Sequence, residues 1–249
     1  GLFRAMLSGV LDPDKLDYLN RDAWSCGVPY GLQDVGFIFQ HLGLDAGEVP
    51  GIDPRGAMAV EAVLFSKYQM YRAVYWNRSV RAATAMIKTA VIDNLSSGRL
   101  EPEQLYGLDD AGFYGLMEGD GLDGRHLIAS VRNGALMQPC LEVRYDPDIP
   151  AHAQAADLSL RPHLEAGLAR AAGVKTVIID VPEPISFETS LPVTGTGLRF
   201  PDYATVFRPD VVSSFAGALR IVRVFADGDE CSLVAGPAME MLGGPPSDR

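Results

Sequence analysis

The sequence predicts an α+β protein, with a mainly helical portion over residues 1–135 and a small mixed α+β lobe over residues 136–249. Three observations carry that expectation. Only 5 of the 17 prolines precede residue 136 and 12 follow it, so long helices are permitted early and interrupted late. Residues 57–95 contain neither proline nor glycine, which fits one long helix with room for a bend. Three runs of β type come afterwards: "CLEVRYD" alternates, "KTVIIDVP" is β-branched between turn signals, and "ALRIVRVFA" alternates again.

Along the chain, "LDPDKLDYLNRD" reads as a helix capped by Asp12, with Pro13 fitting the first turn. "CGVPYG" is a turn and "LQDVGFIFQHLGL" a short helix over 33–41. "GEVPGIDPRG" is a loop, and the long helix follows it. Shorter helices fit "EPEQLYGL", "DDAGFYGLM" and "GRHLIASVRN". "ADLSLRPHLEAGLARAAG" should be a helix ending at Gly173, and "GGPPSDR" a frayed tail.

Composition narrows the function. A chain of 249 residues, 47% apolar and 21% charged, has the make-up of an ordinary globular protein, and its apolar runs are far short of a membrane span. Its net charge of −11 argues against general nucleic-acid binding, which needs a broad basic surface. No secretory signal is visible. Cys26, Cys140 and Cys231 are odd in number and scattered, which points to reduced thiols and a cytoplasmic setting, with neither a disulfide framework nor a zinc site.

Two stretches carry chemistry. On the first helix Asp14, Tyr18, Arg21 and Asp22 share one face with Lys15 at its edge, while Leu16, Leu19 and Ala23 lie opposite. An aromatic ring among charges is wasted on bulk solvent. In the long helix, residues 58–92 hold five bases (Lys67, Arg72, Arg78, Arg81, Lys88) and one acid, Glu61, so the segment is +4 in an acidic chain. Tyr68, Arg72 and Tyr75 are spaced i, i+4, i+7, beside a stripe of Lys67, Tyr71 and Arg78. Interleaved rings and cations suit a nucleotide, the rings against base or sugar and the cations at phosphates. The plain alternative is a structural helix with core tyrosines and arginines paired to the acids of the first helix.

"LDPDKLDYLNRDAWSCGVPYG" and "VLFSKYQMYRAVYWNRSVRAA", about forty residues apart, resemble two signature segments of the HD-domain deoxynucleoside triphosphate triphosphohydrolases. The likeness covers residues 1–95 well and the α+β lobe only in general character. It implies an HD-type first half, a homo-oligomer and hydrolysis of a deoxynucleoside triphosphate to nucleoside and triphosphate, assisted by a divalent metal. It makes Asp14 a metal ligand. Lys15 becomes a phosphate contact and the candidate catalytic residue, offsetting charge that develops at the phosphoryl group. Tyr18 and Asp22 would hold the sugar and Tyr75 would contact substrate. Lys67 stands where the family usually has arginine, so a bidentate phosphate contact becomes a point charge. Arg72 and Arg78 are further candidate anion contacts.

The departure is an absence. The family's other ligands are a histidine and a His-Asp pair, and no His-Asp dipeptide occurs in this sequence. None of His41, His126, His152 and His163 has matching surroundings. His41 reads as a helix C-terminal charge or a partly buried side chain, and His152 and His163 read as surface residues. One carboxylate does not hold a divalent metal. The expectation is therefore a C-terminal part of a longer enzyme, inactive by itself, whose metal depends on ligands upstream of Gly1. The alternative is a non-catalytic nucleotide-binding or oligomer scaffold that has lost the metal site.

Overall fold

The computed structural model describes residues 9–45, 49–203 and 206–243. Helix α1 spans Pro13–Cys26, α2 Val35–His41, α3 Ala57–Met70 and α4 Arg78–Ser96, with a hairpin of β1 (Leu42–Asp45) and β2 (Val49–Ile52) between α2 and α3. Then come α5 (Asp110–Met117), α6 (Arg125–Arg132), β3 (Gln138–Arg144), α7 (Pro150–Ala156), α8 (Arg161–Ala172) and β4 (Ile178–Asp180). The chain closes with β5 (Pro192–Val193), β6 (Leu198–Arg199), α9 (Phe200–Tyr203), α10 (Pro209–Leu219), β7 (Ile221–Ala226) and α11 (Cys231–Leu242). The fold is α+β. No helix among the described residues is long and apolar enough to cross a membrane.

The chain forms two compact units, 1–77 with 184–219 and 78–183 with 220–249. The sequence boundary at 135/136 thus falls inside the second unit, because the chain leaves the first unit at residue 77 and returns to it for residues 184–219.

In the first unit α1 begins as expected: the Asp12 carboxylate accepts the Asp14 amide at 2.8 Å and Pro13 occupies the first turn. Gly27 in the left-handed region closes it, its amide donating back to Ala23 and Trp24. Leu16, Leu19 and Ala23 are buried against Val60, Val63, Leu64 and Met70 of α3. Gly31 makes the packing close. Its φ is +93°, and a Cβ there would lie 2.9 Å from both the Leu19 carbonyl and Met70 Cγ.

The predicted loop "GEVPGIDPRG" is corrected in part, since residues 49–52 form β2. It pairs antiparallel with β1 and, through Ile52 and Val193, parallel with β5, giving the order β1-β2-β5-β6. Gly51 explains why this strand escaped notice: a Cβ there would sit 2.8 Å from the Pro192 carbonyl, so a glycine that reads as loop is needed for strand approach.

The predicted long helix is also corrected. After α3 the backbone widens into a π turn over Tyr71–Tyr75, in which the Trp76 amide donates to the Tyr71 carbonyl at 2.7 Å. The Asn77 amide then reaches Val74, and α4 restarts at Arg78. Tyr71 packs edge-on to Tyr75 at 5.1 Å and to Trp76 at 5.4 Å, a cluster of bulky rings at the wide turn.

The second unit holds the three predicted strands as an antiparallel sheet, β3-β7-β4, with β7 central. Val222, Val224, Phe225 and Ala226 of β7 are fully buried. Helix α8 ends at Gly173 in the left-handed region, as the sequence suggested.

Two readings fail here. His152 is wholly buried: its Nδ1 accepts the Asp146 amide at 2.9 Å, so Nε2 carries the proton and donates to the Leu242 carbonyl at 2.8 Å. The imidazole thus ties two chain segments that lie far apart in sequence. Cys140 and Cys231 are joined as a disulfide, and only Cys26 is free and exposed. A register shift between Pro139 and Leu141 marks a bulge at Cys140, and the two Cα atoms lie 4.8 Å apart, within disulfide range, although 91 residues separate them. His163 is exposed, as expected, while most of the predicted C-terminal tail lies outside the described residues.

Glu165 of α8 gives the second unit a pH dependence. Burial raises its carboxyl from the ordinary 4.5 to about 7; the Ile179 amide (2.7 Å) and Arg161 oppose that rise, and Asp93 adds to it. Folded, it keeps its proton through a window in which the unfolded chain has lost it. Its contribution to stability is therefore complete below about pH 4.5 and is lost as pH rises through 7, with a slope of at most about 1.4 kcal/mol per pH unit. Urea midpoints of wild type and Glu165→Gln should diverge in their pH dependence, the variant being flatter between pH 5 and 8. Parallel curves would contradict the assignment.

Candidate anion site of the first unit

Helix α1 directs Lys15, Tyr18 and Asp22 along one side. The ammonium of Lys15 is buried, donating to the carbonyls of Gly9 at 3.0 Å and Val10 at 3.4 Å. Lys67 reaches the same place from α3, where it donates to the Ser186 carbonyl at 2.6 Å and lies 5.3 Å from the Phe187 ring centroid. Both ammoniums meet one oxygen, Glu188 Oε2, at 3.2 Å from Lys15 and 3.6 Å from Lys67.

Two buried cations side by side are costly unless an anion lies between them. Burial lowers the Lys67 ammonium's affinity for its proton; Glu188 offsets this and Lys15 adds to it, for a net fall. Partial burial works against ionisation of Glu188, but Lys67 and then Lys15 outweigh it, so its carboxyl titrates below the ordinary range.

Tyrosines flank this pair. Tyr75 donates to Asp22 Oδ2 at 2.8 Å, and Tyr18 packs edge-on to Tyr75 with centroids 6.2 Å apart. Burial, then the charges of Tyr71, Asp14 and Glu188, pushes the Tyr18 phenol upward. Burial and the Asp22 hydrogen bond do the same for Tyr75. Both rings remain neutral at physiological pH, with hydroxyls able to donate.

Of the residues singled out in the sequence, Lys15, Tyr18, Asp22, Lys67 and Tyr75 are brought together. Arg72 is not: it is exposed, because the π turn breaks the 3.6-residue spacing that placed it with Tyr68 and Tyr75. Tyr68 stacks on Phe215 at 4.7 Å, and Arg78 pairs with Glu142 at 3.0 Å in the second unit. Asp14 is exposed in the first turn of α1. Among the described residues no group of three or more His, Cys, Asp or Glu side chains is placed to hold a metal ion, and Asp14 has no such ligand set around it there. Sequence reasoning missed Glu188 and its neighbour Ser186. They lie in an irregular stretch with no periodic signal, and the only hint is Phe187, an apolar anchor between polar residues.

This fold is shared with a phosphohydrolase from Bacteroides thetaiotaomicron, at a TM-score of 0.62 and 16% identity, over 91% of this chain and 63% of that one. It is shared equally with a hypothetical protein from Aquifex aeolicus, at a TM-score of 0.68 and 19% identity, over 95% and 59%. Residues 34–197, more than half of the chain, match the HD associated region family, and the chain belongs to that family. In sequence it is similar to the uncharacterised proteins MJ1154 of Methanocaldococcus jannaschii (38% identical over 108 residues, 42% of this chain) and YwfO of Bacillus subtilis (35% over 83 residues, 33% of this chain). The chain spans about a quarter and a fifth of the length of these two relatives, from matches covering 24% and 19% of them.

Proposed function

We propose that the first unit is the nucleotide-gripping wall of an HD-type phosphohydrolase whose substrate is a deoxynucleoside triphosphate. The observation that carries this reading is the meeting of Lys15 and Lys67 on one carboxylate oxygen. Two ammoniums that converge on a single anionic oxygen offer the same contact to a phosphate oxygen. Beside them, Tyr18 and Tyr75 give flat apolar surface for a sugar, and Asp22 gives it a hydroxyl acceptor.

In this reading the lysines bind and orient the phosphates and neutralise charge that grows on them. Tyr75 holds Asp22 in position through the 2.8 Å hydrogen bond, and no step is assigned to a metal.

Titration of the chain with deoxynucleoside and ribonucleoside triphosphates, with chelator present, tests the substrate. The deoxy form should bind more tightly, and Asp22→Ala should weaken it by about tenfold while narrowing the sugar preference. Equal affinity of wild type for the two sugars would overturn the deoxynucleotide assignment.

A further inference from the structure

The same site holds a feature that the proposed function does not use. Glu188 sits where the anion belongs, with one oxygen taken by both ammoniums, yet its side chain is 42% exposed. Its backbone is pinned: Phe187 and Leu191, on either side, are 7% and 6% exposed within the core of the first unit. Ser186 also holds Lys67 through its carbonyl, independently of the carboxylate. Glu188 can therefore leave by side-chain rotation alone, toward the solvent that already reaches it, while the lysines keep their carbonyl partners.

Resting on the lysine pair as a phosphate site, we infer that Glu188 is a tethered competitor that fills the site until a polyphosphate displaces it. A tethered carboxylate acts at an effective concentration of millimolar order, set by its short connection to the chain. A free anion that brings one charge merely exchanges one such contact for another and pays its own immobilisation. A triphosphate brings several charges and more acceptor oxygens than one carboxylate, so it gains where the smaller anion breaks even. Glu188 thereby sets a threshold on ligand charge, excluding small anions from the lysines and admitting polyphosphates.

The test is calorimetric titration of the 249-residue chain with inorganic tripolyphosphate and with orthophosphate. The proteins compared are wild type, Glu188→Gln, Glu188→Ala, and the double variant Lys15→Met with Lys67→Met, each checked for an unchanged circular dichroism spectrum. Removing the charge of Glu188 should tighten tripolyphosphate binding by about tenfold or more and make orthophosphate binding measurable. Unchanged or weaker binding in both Glu188 variants, with binding still lost in the lysine variant, would overturn the competitor and leave the lysine site standing. Binding that survives in the lysine variant, or is absent from every protein, would overturn the phosphate site and the competitor with it.

Discussion

Arg81→Ala should destabilise the second unit by about 3–5 kcal/mol. Arg81 and Asp180 are both buried and face each other side-on, with Nε donating to Oδ2 at 2.8 Å and Nη2 donating to Oδ1. Their neighbours in the chain, Ala82 and Ile179, belong to the apolar core of this unit. Removal of the guanidinium leaves a carboxylate in that core with its ion-pair partner gone, which costs far more than the pair itself contributes. Asp180→Ala should cost about as much for the mirrored reason. Arg81→Met combined with Asp180→Leu should recover most of the loss, since the desolvation cost vanishes with the charges. Urea unfolding reports all three. A single variant within about 1 kcal/mol of wild type would mean that water reaches the pair.

Replacing Lys15 and Lys67 together by methionine should weaken triphosphate binding by roughly a hundredfold or more, with each charge-assisted contact worth about 1.5–3 kcal/mol. Methionine keeps the apolar stem that each lysine buries, so packing is conserved better than with alanine. The affected carbonyls of Gly9 and Ser186 lose a donor, and a small loss of stability should accompany the loss of binding. Either single variant should show an intermediate loss. Affinity within threefold of wild type in the double variant would remove the lysines from the account.

What the sequence made legible was local chemistry. Asp12 and Pro13 announce α1 within a few residues, and Gly173 announces the end of α8. The resemblance singled out Tyr18, Asp22 and Tyr75 one by one, and the contacts that join them, Tyr18 edge-on to Tyr75 and the Tyr75 hydroxyl on Asp22, appear only in the structure. Three of the failures share one cause, partners distant in sequence and unmarked by any period. Glu188 lies 173 residues from Lys15, Leu242 lies 90 from His152, and Cys231 lies 91 from Cys140. The π turn misled differently. No glycine or proline signals it, so a helical spacing was carried through Arg72 where the backbone does not keep it. Gly51 misled in the opposite sense, since a residue that reads as a loop is required for strand approach.

The central claim is that Lys15 and Lys67 receive phosphate while Tyr75 and Asp22 receive sugar. A crystal structure of this chain with a non-hydrolysable deoxynucleoside triphosphate analogue tests it most directly. The account expects phosphate oxygens at hydrogen-bond distance from both ammoniums, Glu188 turned away from them, and the sugar against the Tyr75 ring with a hydroxyl toward Asp22. A nucleotide bound elsewhere on the chain, or one whose phosphates lie at the tyrosines and away from the lysines, would contradict it.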